Sequence, residues 1–224
     1  MAPDFNHIAR FYYPLSRVVF GSSQEKAQQA FTPLIRPGSR ILIVGGGNGQ
    51  LLKLLLQPSA QKHKIFLVEP AGEMIAMARK KATPSTHLHF IQTTVEQFLG
   101  SSKEHFDVVI TAFFFDLFTQ AEADNLFSII NNRLNPEGLW LYTDFQLKKS
   151  ASWWQRPILK MMYAFFRRVS GVRASSLPDM SSHWENDYEL LGIRTFYGEF
   201  IITRAWRRHE DMRVSSLRDY AQTE

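Results

Sequence analysis

Residues 40–49 read RILIVGGGNG, and this stretch decides the fold. Four apolar residues after Arg40 run directly into a loop that holds four glycines. A short apolar run that ends in glycines is typical of a parallel strand buried on both faces. The stretch therefore predicts the first strand of a βαβ unit, with a tight turn leading into the next helix.

The same alternation of strand and helix continues along the chain. Further strands are expected at the apolar runs 64–68, 87–92, 106–113 and 139–145, with helices at 23–35, 49–56, 72–82 and 120–133. Alternating strands and helices indicate a parallel sheet with helices on both faces. We therefore predict an α/β fold: a Rossmann-like, doubly wound and mostly parallel sheet of about seven strands in a three-layer α/β/α arrangement.

The alternation ends after residue 145. A helix is expected at 182–191, and the runs 193–196 and 200–206 flank Gly198, which suggests a C-terminal antiparallel hairpin. We predict a single domain over 1–208, with an N-terminal helical lid at 1–36 and a helical insertion at 146–180 that caps the substrate. Residues 209–224 form a polar tail.

Composition excludes several classes of protein. At about 150 residues per domain, 224 residues make one domain with additions. The absence of cysteine excludes disulfides, thiolate zinc sites and a thiol nucleophile. No apolar run reaches the roughly 18 residues of a membrane span, and the N-terminus lacks a signal-peptide layout. We expect a cytoplasmic protein.

The glycine loop suggests a ligand when it is combined with Glu69. A dinucleotide pattern would need glycine where Gln50 stands, and no Gly-Lys-Ser/Thr phosphate loop is present. Glu69 ends the second predicted strand, where a carboxylate can bind ribose hydroxyls. Each feature alone is also compatible with a purely structural role. The loop would then close a βα unit, and the Glu69 carboxylate would stabilise the N-terminus of the next helix through the helix dipole. Together they predict a nucleoside ligand without a tightly held phosphate.

Five motifs in order resemble those of class I S-adenosylmethionine-dependent methyltransferases: ILIVGGGNG, LVEPAGEMIAMARKKA, HFIQTTVEQF, FDVVITAFFFDLF and NPEGLWLYTDF. The resemblance covers about residues 5–145, and the terminal hairpin in pattern. The opening FNHIARFYYPLS resembles the lead-in of the ubiquinone/menaquinone methyltransferase-like (type 11) branch. The resemblance implies S-adenosyl-L-methionine as cofactor and S-adenosyl-L-homocysteine as product.

The resemblance also implies which residues bind the cofactor. The loop glycines would lie near its amino-acid part and sulfonium, Glu69 at the ribose and Pro70 near the adenine. The remaining implied contacts are Tyr12 closing over the cofactor, and Thr111 and Ala112 beside the methionine part; the loop glycines are Gly45, Gly46, Gly47 and Gly49.

Two positions depart from the family's pattern. The aspartate that usually contacts the adenine amino group is replaced by Thr94, whose hydroxyl can accept one hydrogen bond while the Val95 N–H donates another. The aspartate that usually follows the lid tyrosine is replaced by Tyr13.

Methyl transfer leaves few catalytic signatures, because the cofactor carries its own electrophile. A base within hydrogen-bond reach of the acceptor could still be needed, and three residues are candidates for it: Asp116, Asp144 and His183. Each also has a structural alternative, as a helix cap, an ion-pair partner or an exposed side chain. His87 and His89 share a strand face without an evident third ligand, so we predict no metal site.

The insertion contains a basic amphipathic helix that begins near Pro157. No acidic residue interrupts the basic segment from Lys148 to Arg173. The expected apolar stripe is Ile158, Met161, Met162, Phe165, Phe166 and Val169. Such a helix could roof a substrate pocket, or contact an anionic membrane surface through 153–169. Nucleic acid is not expected as a substrate, because base stacking needs exposed rings.

These features together predict methyl transfer to a small apolar or lipid-like acceptor, such as a quinol or a phenol. The alternative from another class is a non-catalytic S-adenosylmethionine-binding domain with a regulatory or interaction role. An NAD-dependent enzyme fits less well, since the glycine spacing differs.

Overall fold

The computed structural model describes residues 16–56, 63–82, 87–148 and 152–210. Seven strands form one sheet in the order β3-β2-β1-β4-β5-β7-β6. The strands are β1 (Arg40–Val44), β2 (Lys64–Val68), β3 (Leu88–Ile91), β4 (Phe106–Ala112), β5 (Leu134–Phe145), β6 (Tyr188–Phe196) and β7 (Ile201–Arg208).

Six α-helices accompany the sheet in the described part of the chain, and residues 16–20 are also helical. They are α1 (Ser23–Gln29), α2 (Leu52–Leu55), α3 (Gly72–Lys81), α4 (Val95–Ser101), α5 (Gln120–Asn131) and α6 (Gln155–Ser170). Short 3-10 helices lie at Thr32–Leu34, Phe115–Leu117 and Ser181–His183.

Strand direction confirms the predicted fold class. Strands β1 to β5 pair in parallel, whereas β7 pairs antiparallel with both β5 and β6. Six strands therefore point one way and β7 points the other. The predicted C-terminal hairpin is present, and its turn contains Gly198 in the left-handed region (φ 58°).

The period-two alternation of β1 divides the core into two layers. Leu42 and Val44 face a cluster that contains side chains of α4 and α5, whereas Ile41 and Ile43 face side chains of α2 and α3. Helices thus cover both faces, which is why β1 reads as a continuous apolar run. The expected three-layer arrangement is confirmed.

A third cluster joins α6 to the carboxyl end of the sheet. Side chains of α6 pack with Phe20 of the helical residues 16–20, with Phe145 at the end of β5, and with Phe200 before β7. The helix within the predicted insertion therefore lies at the edge where the parallel strands end.

The predicted helix at 182–191 is wrong. Only Ser181–His183 form a 3-10 turn, and β6 begins at Tyr188. The backbone of β6 pairs with β7 along its length, with a bulge between Leu190 and Gly192. Gly192 disfavours a helix, and pairing with the neighbouring strand decided the conformation.

Several boundaries also differ from the sequence predictions. Helix α4 was not anticipated, although Thr94 caps it by accepting a hydrogen bond from the Gln97 N–H (3.4 Å). Strand β5 begins at Leu134 rather than at the expected residue 139, with a register shift against β4. The buried face of α6 contains Leu159, Tyr163 and Phe166, and Met161 of the expected stripe is exposed.

Part of the sequence prediction falls outside the described residues. Tyr12 and Tyr13 of the expected lid and residues 211–224 of the expected tail lie there. Their roles remain predictions.

An aromatic cluster fixes the segment between α6 and β6. Trp184 is buried, stacks on Trp206 (5.1 Å between ring centroids) and meets Trp140 (5.2 Å) and Phe127 (4.9 Å) edge to face. Aromatic pairs of these geometries add to the area that they bury. Trp184 thereby ties the segment before β6 to β5, β7 and α5.

We expect Trp184→Ala to destabilise the fold by about 3–5 kcal/mol, because the cavity lies inside this cluster. Trp153→Ala is the matched control, since Trp153 is 87% exposed, and its effect should stay within about 0.5 kcal/mol. Urea unfolding of both variants measures the difference. Equal midpoints for the two variants would refute the packing role of Trp184.

Candidate functional site

A cleft opens at the carboxyl ends of β1, β2 and β4. Its described lining comes from the glycine loop, the residues that follow β2 and β3, the segment after β4, helix α1 and one residue of α6. Ligands of open α/β sheets bind at this edge.

The glycine loop lies tightly against its neighbours. A Cβ at Gly46 would stand 2.4 Å from the Leu67 side chain, and a Cβ at Gly49 would stand 2.7 Å from the Ala78 Cβ. Gly49 also has a φ of 74°, which side-chain-bearing residues rarely adopt. Only glycine fits these positions, and the loop presents bare main chain to the cleft.

Glu69 is held firmly at the end of β2. Its Oε2 accepts a hydrogen bond from the Gly47 N–H and its Oε1 accepts one from the Ala71 N–H, both at 3.0 Å. Burial raises the pKa of Glu69, and the two backbone hydrogen bonds oppose that rise. Each carboxylate oxygen keeps a lone pair, so the group can accept two further hydrogen bonds from a diol.

Thr94 and Val95 line the cleft beyond Glu69. The Thr94 Oγ1 is engaged with the Gln97 N–H, so this hydroxyl serves the start of α4. Asparagine, aspartate, serine and threonine are all used in this capping role. The substitution of threonine for the usual aspartate is therefore compatible with the local fold.

The segment after β4 forms an aromatic wall. Phe113 adopts a φ of 53° and its N–H donates to the Thr143 carbonyl (2.8 Å). A bulky residue in the left-handed region is strained, and such strain is concentrated at functional sites. The wall comprises Phe113, Phe114, Leu117 and Phe118, with Phe166 added from α6.

Asp116 and Asp144 form a buried carboxyl pair beside this wall. Asp144 Oδ2 accepts a hydrogen bond from the Asp116 N–H (3.3 Å), and its Oδ1 accepts one from the Phe145 N–H (2.8 Å). Burial raises the pKa of Asp116 to about 7, although a hydrogen bond with the Asp144 side chain opposes the rise. Burial and the neighbouring charge of Asp116 raise the pKa of Asp144. The two groups titrate together, and both disfavour losing their protons.

Most of the sequence-predicted residues meet in this cleft. Gly49 does not line it, and Thr111 is buried, with its Oγ1 accepting a hydrogen bond from the Trp140 Nε1 (3.0 Å). Asp144 contacts Asp116 without lining the cleft itself. The predicted residues that do line it are Gly45, Gly46, Gly47, Glu69, Pro70, Thr94, Val95, Ala112 and Asp116.

His183, the third candidate base, does not lie at the cleft. Its Nε2 stands 3.1 Å from the Asp124 Oδ1, and its ring packs edge to face on Phe127 at 4.6 Å. Both partners belong to α5, and His183 is not among the described residues that line the cleft. The short turn at Ser181–His183 sets this position.

Several lining residues were not identified from the sequence. Helix α1 contributes Gln24, Glu25 and Gln28. The Gln50 side chain donates to the Glu25 Oε1 (2.7 Å), which connects α1 to the glycine loop. The only sequence signal for α1 was a polar helix close before β1.

The electrostatic character of the cleft suits a cationic nucleoside. Its described lining contains four acidic residues, Glu25, Glu69, Glu96 and Asp116, and neither lysine nor arginine. A pyrophosphate would meet no cation among these side chains. A positively charged sulfonium attached to a ribose fits both this charge and the position of Glu69.

A protein-family model matches the central part of the chain. Residues 41–138 match the model of a family described as a methyltransferase domain. No curated protein matches the chain in sequence.

Solved structures of low sequence identity share the fold. A putative methyltransferase of Haloferax volcanii, solved with its Trm112 activator, superposes with a TM-score of 0.66 at 11% identity, covering 94% of this chain and 100% of its own. The 1,6-didemethyltoxoflavin N1-methyltransferase of Burkholderia thailandensis gives 0.60 at 12%, covering 92% and 84%. The magnesium protoporphyrin IX methyltransferase of Synechocystis PCC 6803 gives 0.62 at 18%, covering 88% and 87%.

Residues 41–138 thus resemble a methyltransferase domain, and the chain shares its fold with solved methyltransferases. The glycine loop, Glu69 and the acidic lining fit S-adenosylmethionine.

We expect Glu69→Ala to weaken binding of S-adenosylhomocysteine at least tenfold, because each hydrogen bond to a charged group contributes about 1.5–3 kcal/mol. Glu185→Ala, at an exposed loop position, is the control and should bind normally. Calorimetric titration gives the affinities, and the unfolding midpoint without ligand shows whether the fold survives. Normal binding by a folded Glu69→Ala protein would show that the ribose lies elsewhere.

Proposed function

We propose that the protein uses S-adenosylmethionine to methylate a hydroxyl group of a small, largely apolar ring compound, such as a phenol or a quinol. One observation carries this proposal: a buried carboxyl group, Asp116, stands in a cleft wall that is otherwise aromatic and aliphatic. The wall offers apolar contact, and the carboxyl group offers one polar contact.

The aromatic wall supports a ring-shaped acceptor. Phe114 and Phe118 contact each other at 5.0 Å between ring centroids, and Phe113 contacts Phe145 at the same distance. Apolar rings gain both buried area and favourable stacking or edge contacts against such surfaces. A small polar or strongly charged acceptor would gain little here.

Asp116 can act as the base of the reaction. When bound, the cofactor supplies a methyl group on a positively charged sulfur. The acceptor hydroxyl would give its proton to the Asp116 carboxylate while its oxygen forms the new bond to the methyl carbon and the sulfur keeps the bonding electrons. Asp144 holds the backbone of Asp116 in place through the hydrogen bond from the Asp116 N–H.

Similar structures support a ring acceptor by analogy. Solved neighbours include methyltransferases of 1,6-didemethyltoxoflavin and of magnesium protoporphyrin IX, and an O-methyltransferase family 2 protein in complex with apigenin. All three compounds are ring systems. The resemblance of FNHIARFYYPLS to the ubiquinone/menaquinone-like branch favours a quinol within this class.

We expect the wild-type protein to transfer labelled methyl from S-adenosylmethionine to hydroquinone or 1-naphthol, and not to an alkylamine. Asp116→Asn should lower kcat about 100-fold or more, the usual contribution of a positioned base, and leave S-adenosylhomocysteine affinity unchanged. Asp187→Asn, at an exposed position, is the control. Full activity of Asp116→Asn would remove Asp116 as the base.

The pH dependence provides a separate check. Since burial raises the pKa of Asp116 to about 7, kcat/KM should rise with pH through about 7 as the carboxylate forms. Folding stability should change in the opposite direction, because a raised pKa in the folded state means that stability falls as pH rises from about 4 to about 7. Asp116→Asn should flatten that fall. A wild-type rate profile without a step near neutrality would argue against this base.

We also propose that the outer face of α6 rests on an anionic lipid surface. Exposed residues recur on α6 every three or four positions: Arg156, Pro157, Lys160, Met161, Ala164, Arg167 and Arg168. No described carboxylate pairs with the four cations among them. Trp153 (87% exposed) and Met161 (57%) stand among these charges, as in helices that lie in the plane of a membrane. Among the described residues, none of the helices has the length and apolar character to cross a bilayer.

This contact predicts charge-dependent binding to vesicles. The pair Arg167→Glu and Arg168→Glu should lower affinity for phosphatidylserine-containing vesicles at least tenfold, because each basic residue near such a surface contributes about 1 kcal/mol. The control reverses two exposed cations elsewhere, Arg36→Glu and Lys103→Glu. Sedimentation with vesicles measures both. An equal loss in both double variants, or binding to RNA but not to vesicles, would refute the contact.

A further inference from the structure

Two polar atoms near the aromatic wall are buried without a partner. Among the residues that the structure describes, neither the Asp116 Oδ1 nor the Tyr163 Oη has a hydrogen-bond partner. Buried polar groups in folded proteins are almost always satisfied, and an exception needs an explanation. A ligand that supplies the missing hydrogen bonds is one such explanation.

Tyr163 belongs to α6 and is not itself among the described residues that line the cleft. It is buried in the same cluster as Phe166, which lies three residues later on the same helix face and lines the cleft. Phe113 and Leu117 of the aromatic wall pack against this cluster, and Leu117 directly follows Asp116. The hydroxyl and the carboxyl group therefore adjoin one apolar region, between α6 and the ends of β4 and β5.

The electrostatics agree with this proximity. Burial raises the pKa of Tyr163, and the charges of Asp116 and Asp144 raise it further. The Tyr163 hydroxyl therefore keeps its proton at neutral pH and can donate it in a hydrogen bond. Asp116 as a carboxylate can only accept. One donor and one acceptor thus stand unused at this place.

We propose that the Tyr163 Oη and the Asp116 Oδ1 together form a subsite for the hydroxyl group of the methyl acceptor. This inference rests on the proposed transfer to a hydroxyl and goes beyond it, because it names a second polar contact and a basis for selectivity. The acceptor hydroxyl donates its hydrogen to Asp116 and accepts a hydrogen bond from Tyr163. Proton loss leaves negative charge on the acceptor oxygen, which the Tyr163 hydrogen bond stabilises.

The subsite selects by hydrogen-bonding pattern. A hydroxyl carries both a donor and strong acceptor lone pairs, so it satisfies both protein atoms. An ammonium group has no lone pair to accept from Tyr163, and an aromatic amine accepts poorly. Sites built around a hydroxyl reject analogues that leave their polar groups unpaired.

The test is Tyr163→Phe, which removes only the unpaired oxygen. We expect S-adenosylhomocysteine to bind as in the wild type, whereas 1-naphthol binds the loaded protein about fivefold more weakly. The preference for 1-naphthol over 1-naphthylamine should shrink by the same factor. The unfolding midpoint without ligand should not fall, because an unsatisfied buried hydroxyl has been removed.

Tyr188→Phe is the matched control. The Tyr188 hydroxyl donates to the Asn131 Oδ1 (2.6 Å) on α5, in a different core cluster from Tyr163. This variant should lose stability and keep the binding of 1-naphthol. The contrast separates loss of a ligand contact from a general effect of losing a tyrosine hydroxyl.

Calorimetric titration of 1-naphthol into the protein loaded with S-adenosylhomocysteine distinguishes failure of the proposed function from failure of the subsite alone. Wild-type protein that binds S-adenosylhomocysteine but neither binds nor methylates hydroxyl compounds would overturn the proposed function and the subsite with it. Wild-type binding and transfer that Tyr163→Phe leaves unchanged would overturn the subsite alone. A lower unfolding midpoint for Tyr163→Phe would show that the hydroxyl is satisfied within the protein, which also overturns it.

Discussion

The contact between the glycine loop and the second strand is the constraint on which the site depends. With no side chain at Gly46, the loop approaches Leu67 so closely that a Cβ could not fit. This approach brings the Gly47 N–H within 3.0 Å of the Glu69 carboxylate. Loop and acid then hold one another, and both face the cleft at the ends of the strands. The shape of this part of the cleft therefore depends on backbone packing at one glycine.

Much of the fold could be predicted because its core strands are buried on both faces. Such strands leave an uninterrupted apolar run, as Ile41–Val44 show, and the glycines that follow mark the turn. The helix prediction for residues 182–191 was wrong for the opposite reason. Its strand lies at the edge of the sheet, where residues on β6 are largely exposed, and its conformation comes from pairing with β7 rather than from a local pattern.

The residues of the candidate site also differ in whether the sequence alone could identify them. Residues held by local geometry, such as the glycine loop and Glu69, were found from spacing along the chain. Residues that approach from distant segments, such as Gln28 of α1 or Phe166 of α6, carry no local sign of their position. His183 is the clearest example, because its place in the sequence does not determine whether its side chain faces the cleft or helix α5. Its place beside Asp124 depends on the turn before β6.

The position of α6 along the chain affects how the cleft can change during evolution. The segment that matches the methyltransferase family model ends at residue 138, whereas helix α6, which adds Phe166 to the aromatic side of the cleft, begins at Gln155. The glycine loop and Glu69 thus lie in a different stretch of the chain from α6. Substitutions on the inner face of α6 can reshape the cleft while the glycine loop and Glu69 stay untouched. One side of the cleft can thus change through substitutions in a single helix.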